Sequence, residues 1–150
     1  MSIRAAAESD LAAVLPLLRG YCEFYESDPS DEGLERMLRG VLAASGETAF
    51  LLVATEGDGG EVVGFALSQW KWSSLRGARI VVLDDLFVAD RARGRGHADA
   101  MIEAVAEIAA RNGGAAVEWL TGPDNRRAQA VYDRVGGRSE PLLEYRLELG

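Results

Sequence analysis

Two periods of apolar and polar residues run along this chain, and the points where one gives way to the other divide it into elements. Leu11, Val14, Leu15, Leu18, Tyr21 and Cys22 recur at helical spacing behind a capping Ser9 or Asp10, and "SIRAA" ahead of them reads as a short strand. A turn-rich "SDPSDEG" leads to a second amphipathic helix carrying Leu34, Met37, Leu38, Val41 and Leu42, closed near Gly46. The runs "TAFLLVATE" and "EVVGFALSQWKW" read as strands joined by a hairpin turn at "GDGG", and "ARIVVLDDLFVA" follows the polar "SSLRG" as a third. A helix is predicted from about His97 to Arg111, with Met101, Ile102, Val105, Ile108 and Ala109 on one stripe and Asn112, Gly113 and Gly114 as its stop. "AAVEWLT" predicts a buried strand, "PDNRRAQAVYDRV" a short helix ended by Gly136 and Gly137, and "LLEYRLEL" a final strand. The order β-α-α-β-β-β-α-β-α-β, with no repeat, linker or low-complexity tract, predicts one mixed α/β domain over residues 1–150.

Composition narrows the function classes. With 24 acidic against 16 basic residues the net charge is −8, a field that opposes nucleic acid and anionic membrane surfaces and favours a cationic substrate. No apolar run reaches the length of about 18 to 20 residues that a membrane span needs, and "MSIRAAAESD" has no long apolar stretch of a secretory leader, so a cytoplasmic place is expected. The single Cys22 has no partner for an internal disulfide and falls in an apolar helical stripe, as a buried inert thiol would. Acid is dense from Glu23 to Glu35, either as a solvated helix connection or as one wall of a site for a cation.

Against this acidic background, "FVADRARGRGHADAMI" sets Arg91, Arg93 and Arg95 with Gly94 and Gly96 at the start of a helix. A glycine-rich strand-to-helix turn presents unpaired N–H groups at the positive end of the helix dipole, which suits phosphate oxygens. The Walker pattern fails because no Gly-Lys-Ser/Thr follows. The dinucleotide fingerprint GxGxxG fails at its third glycine, where Asp99 would repel a pyrophosphate. The pattern R-x-x-G-x-G/A matches twice, from Arg91 to Gly96 and from Arg93 to Ala98, and the second register places Val88 and Met101-Ile102 at the expected offsets.

That loop resembles the acetyl-CoA signature of the GNAT N-acetyltransferase superfamily. "NRRAQAVYDRVGG" is similar to a second block of the same family, N-x-x-A-x-x-[apolar]-Y-x-x-x-G, about 30 residues on, and the order of elements matches along the whole chain. Gly137, where an aromatic is usual, and Asp90, where proline is frequent, depart from the pattern. "LDDLFV" and "EWLT" look most like the branch of polyamine and histone-type acetyltransferases.

The resemblance implies a central, mixed but mostly antiparallel sheet of six to seven strands flanked by about four helices. It implies transfer of an acetyl group from acetyl-CoA to a primary amine by direct attack, with no metal; a non-catalytic acyl-CoA sensor, or an enzyme for amino acids or antibiotic amines, is the alternative. The backbone of Leu86, Phe87 and Val88 would pair with the pantetheine arm. The amides from Arg93 through Gly94, Arg95, Gly96, His97 to Ala98 would hold the pyrophosphate, with Arg91 also in reach. Asn125 would bond the pantetheine amides, Ala128 would leave room for the arm, and Tyr132 would protonate the departing thiolate. Asp84 is the first choice of base, Asp85 the second or an ammonium grip, and Glu118 the third. Asp84 and Asp85, adjacent on a strand, should face opposite ways unless a bulge re-aims one. Glu26, Asp28, Trp70 and Trp119 are candidates for binding the cationic acceptor. Dimers are frequent among similar proteins, so a homodimer is expected.

Overall fold

The computed structural model describes residues 1–150, which form two units, Met1–Leu120 and Thr121–Gly150. In the first, β1 (Ser2–Ala5), α1 (Leu11–Phe24), α2 (Asp31–Ala43), β2 (Ala49–Glu56), β3 (Glu61–Ser73), β4 (Ala78–Val88), α3 (His97–Arg111) and β5 (Val117–Glu118) follow in chain order. The second holds α4 (Arg126–Arg134). The strands form one sheet in the order β1-β2-β3-β4-β5, antiparallel throughout except for the parallel β4–β5 pair.

Local chemistry accounts for the boundaries. Ser30 caps α2 by accepting the Gly33 N–H at 3.0 Å, and Gly57 and Gly60, both at positive φ, make the β2–β3 turn that "GDGG" predicts. The start of α1 is tied to β1 through Asp10. Its carboxylate accepts both Arg4 guanidinium nitrogens, at 2.7 and 2.9 Å, and the Ala7 N–H at 2.7 Å.

Adjacent residues of β3 show how the sheet is covered. Phe65 meets Tyr21 of α1 edge-on at 6.2 Å between ring centroids, while a side chain at Gly64 would strike Met101 of α3 and the Phe87 carbonyl. Successive residues of a strand face opposite ways, so α1 and α3 lie on opposite faces of the sheet. This explains why Leu51 to Thr55 of β2 are all buried and read as one unbroken apolar run rather than an alternation. The predicted stripe of α3 packs as expected, with Met101 and Val105 fully enclosed.

The sheet has five strands, not the six to seven expected. "LLEYRLEL" forms no strand, and "AAVEWLT" contributes only the two residues of β5. A strand exists through its neighbours' hydrogen bonds. β5 has a neighbour on one side alone, and Leu142, Leu143, Tyr145, Leu147 and Leu149 stand exposed.

Candidate functional site

The ladder between β3 and β4 slips by one residue at a single place: Leu67 pairs with Asp85 and Ser68 with Leu83, which leaves Asp84 as the extra residue of a β-bulge. Bulges re-aim side chains. Here the Asp84 carboxylate receives the Gln69 side-chain amide at 2.9 and 3.1 Å, and the Asp85 carboxylate lies close to the Tyr21 side chain of α1. The Tyr21 hydroxyl also lies 3.5 Å from the Asp84 carbonyl oxygen. Two adjacent carboxylates are therefore both engaged at one bend of β4.

Their environments favour protonation. Burial raises the Asp85 pKa above the usual carboxylate range, the Tyr21 hydrogen bond opposes that, and the charge of Asp84 adds to it. Desolvation likewise raises Asp84, against the Gln69 bond. Tyr21 is pushed up in turn, first by burial and then by Asp85, so it stays a neutral donor. Around it gather aromatic rings: Tyr25 stands 4.9 Å from Tyr21, Phe24 5.0 Å from Tyr25, and Phe65 6.1 Å from Phe87. Gly20 allows α1 to approach, since a Cβ there would meet Phe87 Cζ at 3.0 Å.

Beyond the bulge, β4 loses its outer neighbour. The β4–β5 ladder consists of Val81–Val117 and Val82–Glu118, whereas Leu86, Phe87 and Val88 pair only with Ala66, Phe65 and Gly64 of β3. The second edge of that backbone has no strand on it, which suits an extended amide-bearing chain.

The turn after β4 suits a phosphate. Gly94 and Gly96 adopt φ of 75° and 83°, and the space above both is open. The first helical bond of α3 runs from the Ala100 N–H to the Gly96 carbonyl, so the amides of His97, Ala98 and Asp99 precede the ladder. Its arginines are held by the protein's own groups: Arg91 to Glu61 at 2.5 Å, Arg93 to Asp90 at 2.6 Å and to the Val88 carbonyl at 2.9 Å, and Arg95 to Glu56 at 2.8 Å. The Arg91–Glu61 pair is exposed and exchanges partners at little cost, whereas Arg93 and Glu56 are partly buried. His97 is buried, with Nε2 2.5 Å from Glu56 Oε1, so its ring anchors the start of α3 to the end of β2.

The remaining candidates are distributed more widely. Glu118 faces Arg76 at 3.4 Å. Asp28 pairs with Arg19 at 3.2 Å, and Glu26 is exposed at positive φ. Trp70 points away from its neighbour Gln69, packs beside Gly114 and carries the Arg79 guanidinium 4.2 Å above its ring, grouping it with Arg79 rather than with the bulge. Trp119 is half-buried beside β5. In the second unit, Asn125 is the N-cap of α4, its Oδ1 accepting the Ala128 N–H at 3.2 Å, which leaves its amide group as donor; Ala128 and Tyr132 follow on the helix, both half-buried.

Tyr21, Gln69 and Glu56 escaped the sequence reading. Tyr21 counted as an apolar member of a helical stripe, and nothing in the local spacing ties it to a residue 64 positions later. The two ionisable residues inside an apolar strand demand polar partners from elsewhere, but do not say which residues supply them.

Residues 13–137 match the model of the acetyltransferase (GNAT) family. An uncharacterized N-acetyltransferase of Bacillus subtilis, YhfO, is 35% identical over 136 residues, covering 91% of this chain and 89% of its own. A thialysine N-epsilon-acetyltransferase of Bos taurus is 31% identical over 144 residues, covering 91% and 83%. Among solved structures, a probable acetyltransferase superposes with a TM-score of 0.88 at 26% identity over 100% of this chain and 99% of its own. An aminoglycoside N-acetyltransferase in complex with CoA shares the fold, with a TM-score of 0.83 at 24% identity over 99% and 95%.

Proposed function

This chain belongs to the acetyltransferase (GNAT) family, an acyltransferase with acetyl-CoA as its cosubstrate, and we propose that it acetylates a primary amine of the lysine or polyamine type in the cytoplasm. The observation that carries this reading is the bulge at Asp84, which collects two carboxylates and an aromatic wall next to the open edge of β4. A cationic acceptor matches both features. The mammalian relatives named thialysine N-epsilon-acetyltransferases support an amine at the end of a flexible side chain.

An alkylammonium with pKa near 10.4 is neutral in about one molecule per thousand at pH 7, a cost of roughly 4 to 5 kcal/mol that the site must offset. Asp84, freed from some of its hydration and oriented by Gln69, takes the proton from the ammonium; its raised pKa makes it a stronger base than an ordinary carboxylate. Asp85, fixed by Tyr21, holds the ammonium in place. Bound acetyl-CoA supplies the thioester carbon that the neutral amine attacks. The backbone of Leu86 to Val88 orients the pantetheine arm, an N–H of Leu86 or Phe87 meets the charge developing on the carbonyl oxygen, and the amides of Arg93 to Ala98 hold the pyrophosphate. Tyr132 donates the proton that the departing sulfur needs, and Asn125 bonds the arm through its free amide group.

The test is a panel of amines with acetyl-CoA, following thiol release. Turnover with lysine-like or polyamine acceptors supports the reading. Turnover confined to α-amino groups or to aminoglycosides overturns the acceptor class.

A further inference from the structure

Gly96 opens α3 at a φ of 83°, and no side chain caps the helix there, so the first amides of α3 are not taken up by a cap. Something else must hold the turn in its left-handed shape. A single carboxylate does so. Glu56, the last residue of β2, sets Oε1 2.5 Å from His97 Nε2 and accepts Arg95 Nη1 on Oε2 at 2.8 Å, so its two oxygens clasp the residues on either side of Gly96. The Glu56 pKa lies below the usual carboxylate range, first because of the His97 bond, with Arg95 adding to it. An ionised carboxylate only accepts, so Nε2 carries the hydrogen.

The two jaws of this clamp differ. The Arg95 side chain is 58% exposed, whereas that of His97 is 1% exposed. His97 Nδ1 is enclosed with no hydrogen-bond partner, so Glu56 provides the ring's polar tie. The same enclosure rules out general-base work by this carboxylate–imidazole pair, because neither ring nitrogen is open to a substrate.

We propose that Glu56 is a positioning residue for the cosubstrate: through His97 it fixes the start of α3 so that the amides around Gly96 face the pyrophosphate, and through Arg95 it keeps a guanidinium beside the phosphate position. The proposal rests on the pyrophosphate reading given above. When a phosphate binds, exposed Arg95 exchanges Glu56 for it at little cost, while the enclosed His97 bond stays and keeps the turn from relaxing. A turn already in shape spares the ligand the cost of ordering it.

The experiment is calorimetric titration of CoA into wild type, Glu56→Ala, Glu56→Gln and His97→Leu. Glu56→Ala is expected to raise the CoA dissociation constant by about tenfold or more. Glu56→Gln still accepts the Nε2 hydrogen on its carbonyl oxygen and releases Arg95, so it binds CoA at least as tightly as wild type, a rescue that loss of fold stability alone would not give. His97→Leu keeps the bulk and drops the bond; it shows the same loss as Glu56→Ala and stands in for it where that variant fails to fold. Wild-type affinity in Glu56→Ala or His97→Leu, or a loss in Glu56→Gln equal to that in Glu56→Ala, overturns the proposal. A wild type that binds no CoA, or CoA affinity that survives Gly96→Glu, removes the pyrophosphate turn and the clamp with it, so the two failures are told apart.

Discussion

The side-chain amide of Gln69 reaches both oxygens of the Asp84 carboxylate, at 2.9 and 3.1 Å, across a bulge that takes Asp84 out of the β3–β4 register. A regular strand would have put Asp84 and Asp85 on opposite faces with separate surroundings.

If Asp84 is the base, Asp84→Asn lowers kcat by about 10² to 10⁴, the usual range for losing a general base, and leaves CoA affinity unchanged. Gln69→Leu gives the finer readout. The Gln69 bond favours the ionised carboxylate, so its loss raises the Asp84 pKa further, and the acidic limb of the kcat/KM profile moves to higher pH. A limb that stays in place assigns the titration to another group.

Asp85 has a folded pKa above its ordinary value because it is partly buried, so the folded state binds the extra proton and stability from this group falls as pH rises through that window. At neutral pH the charge burdens the fold. Asp85→Asn, which can still accept from Tyr21, is expected to stabilise the protein at pH 7 by about 0.5 to 1 kcal/mol while weakening the KM for the amine. Thermal unfolding against pH checks this: the advantage shrinks as pH falls through the raised Asp85 pKa, and an advantage independent of pH contradicts it.

Asp10 has the opposite sign. The Arg4 pair, with the Ala7 N–H, holds its pKa below the usual range, so its contribution is present above the unfolded value and is lost as pH falls through the folded one. Asp10→Ala should cost about 1 to 3 kcal/mol at pH 7, and much less in acid, where the wild-type carboxylate is itself protonated. Chemical denaturation at the two pH values measures the difference.

Tyr132→Phe keeps CoA affinity and lowers turnover by about 10² or more if the phenol is the acid that protonates the leaving sulfur. Unchanged turnover in a steady-state assay removes it from that role.

How far the sequence could be read depended on how local the cause was. The turn at Gly57 and Gly60 and the helix His97–Arg111 follow from nearest-neighbour chemistry, and periodicity finds them. The Tyr21–Asp85 contact and the His97–Glu56 anchor join residues far apart along the chain, and no local pattern encodes them. The expected final strand is absent for a related reason: alternation in "LLEYRLEL" states what the segment can bury, not whether it has a neighbour to bury it against.

The central claim is that main-chain amides around Gly94 and Gly96 bind the pyrophosphate of CoA, and calorimetric titration of CoA into wild type and Gly96→Glu tests it most directly. A side chain at Gly96 meets a positive φ and brings a carboxylate to the positive end of α3. Saturable binding to wild type with none to the folded variant is the expected result; equal affinity in both would contradict the account.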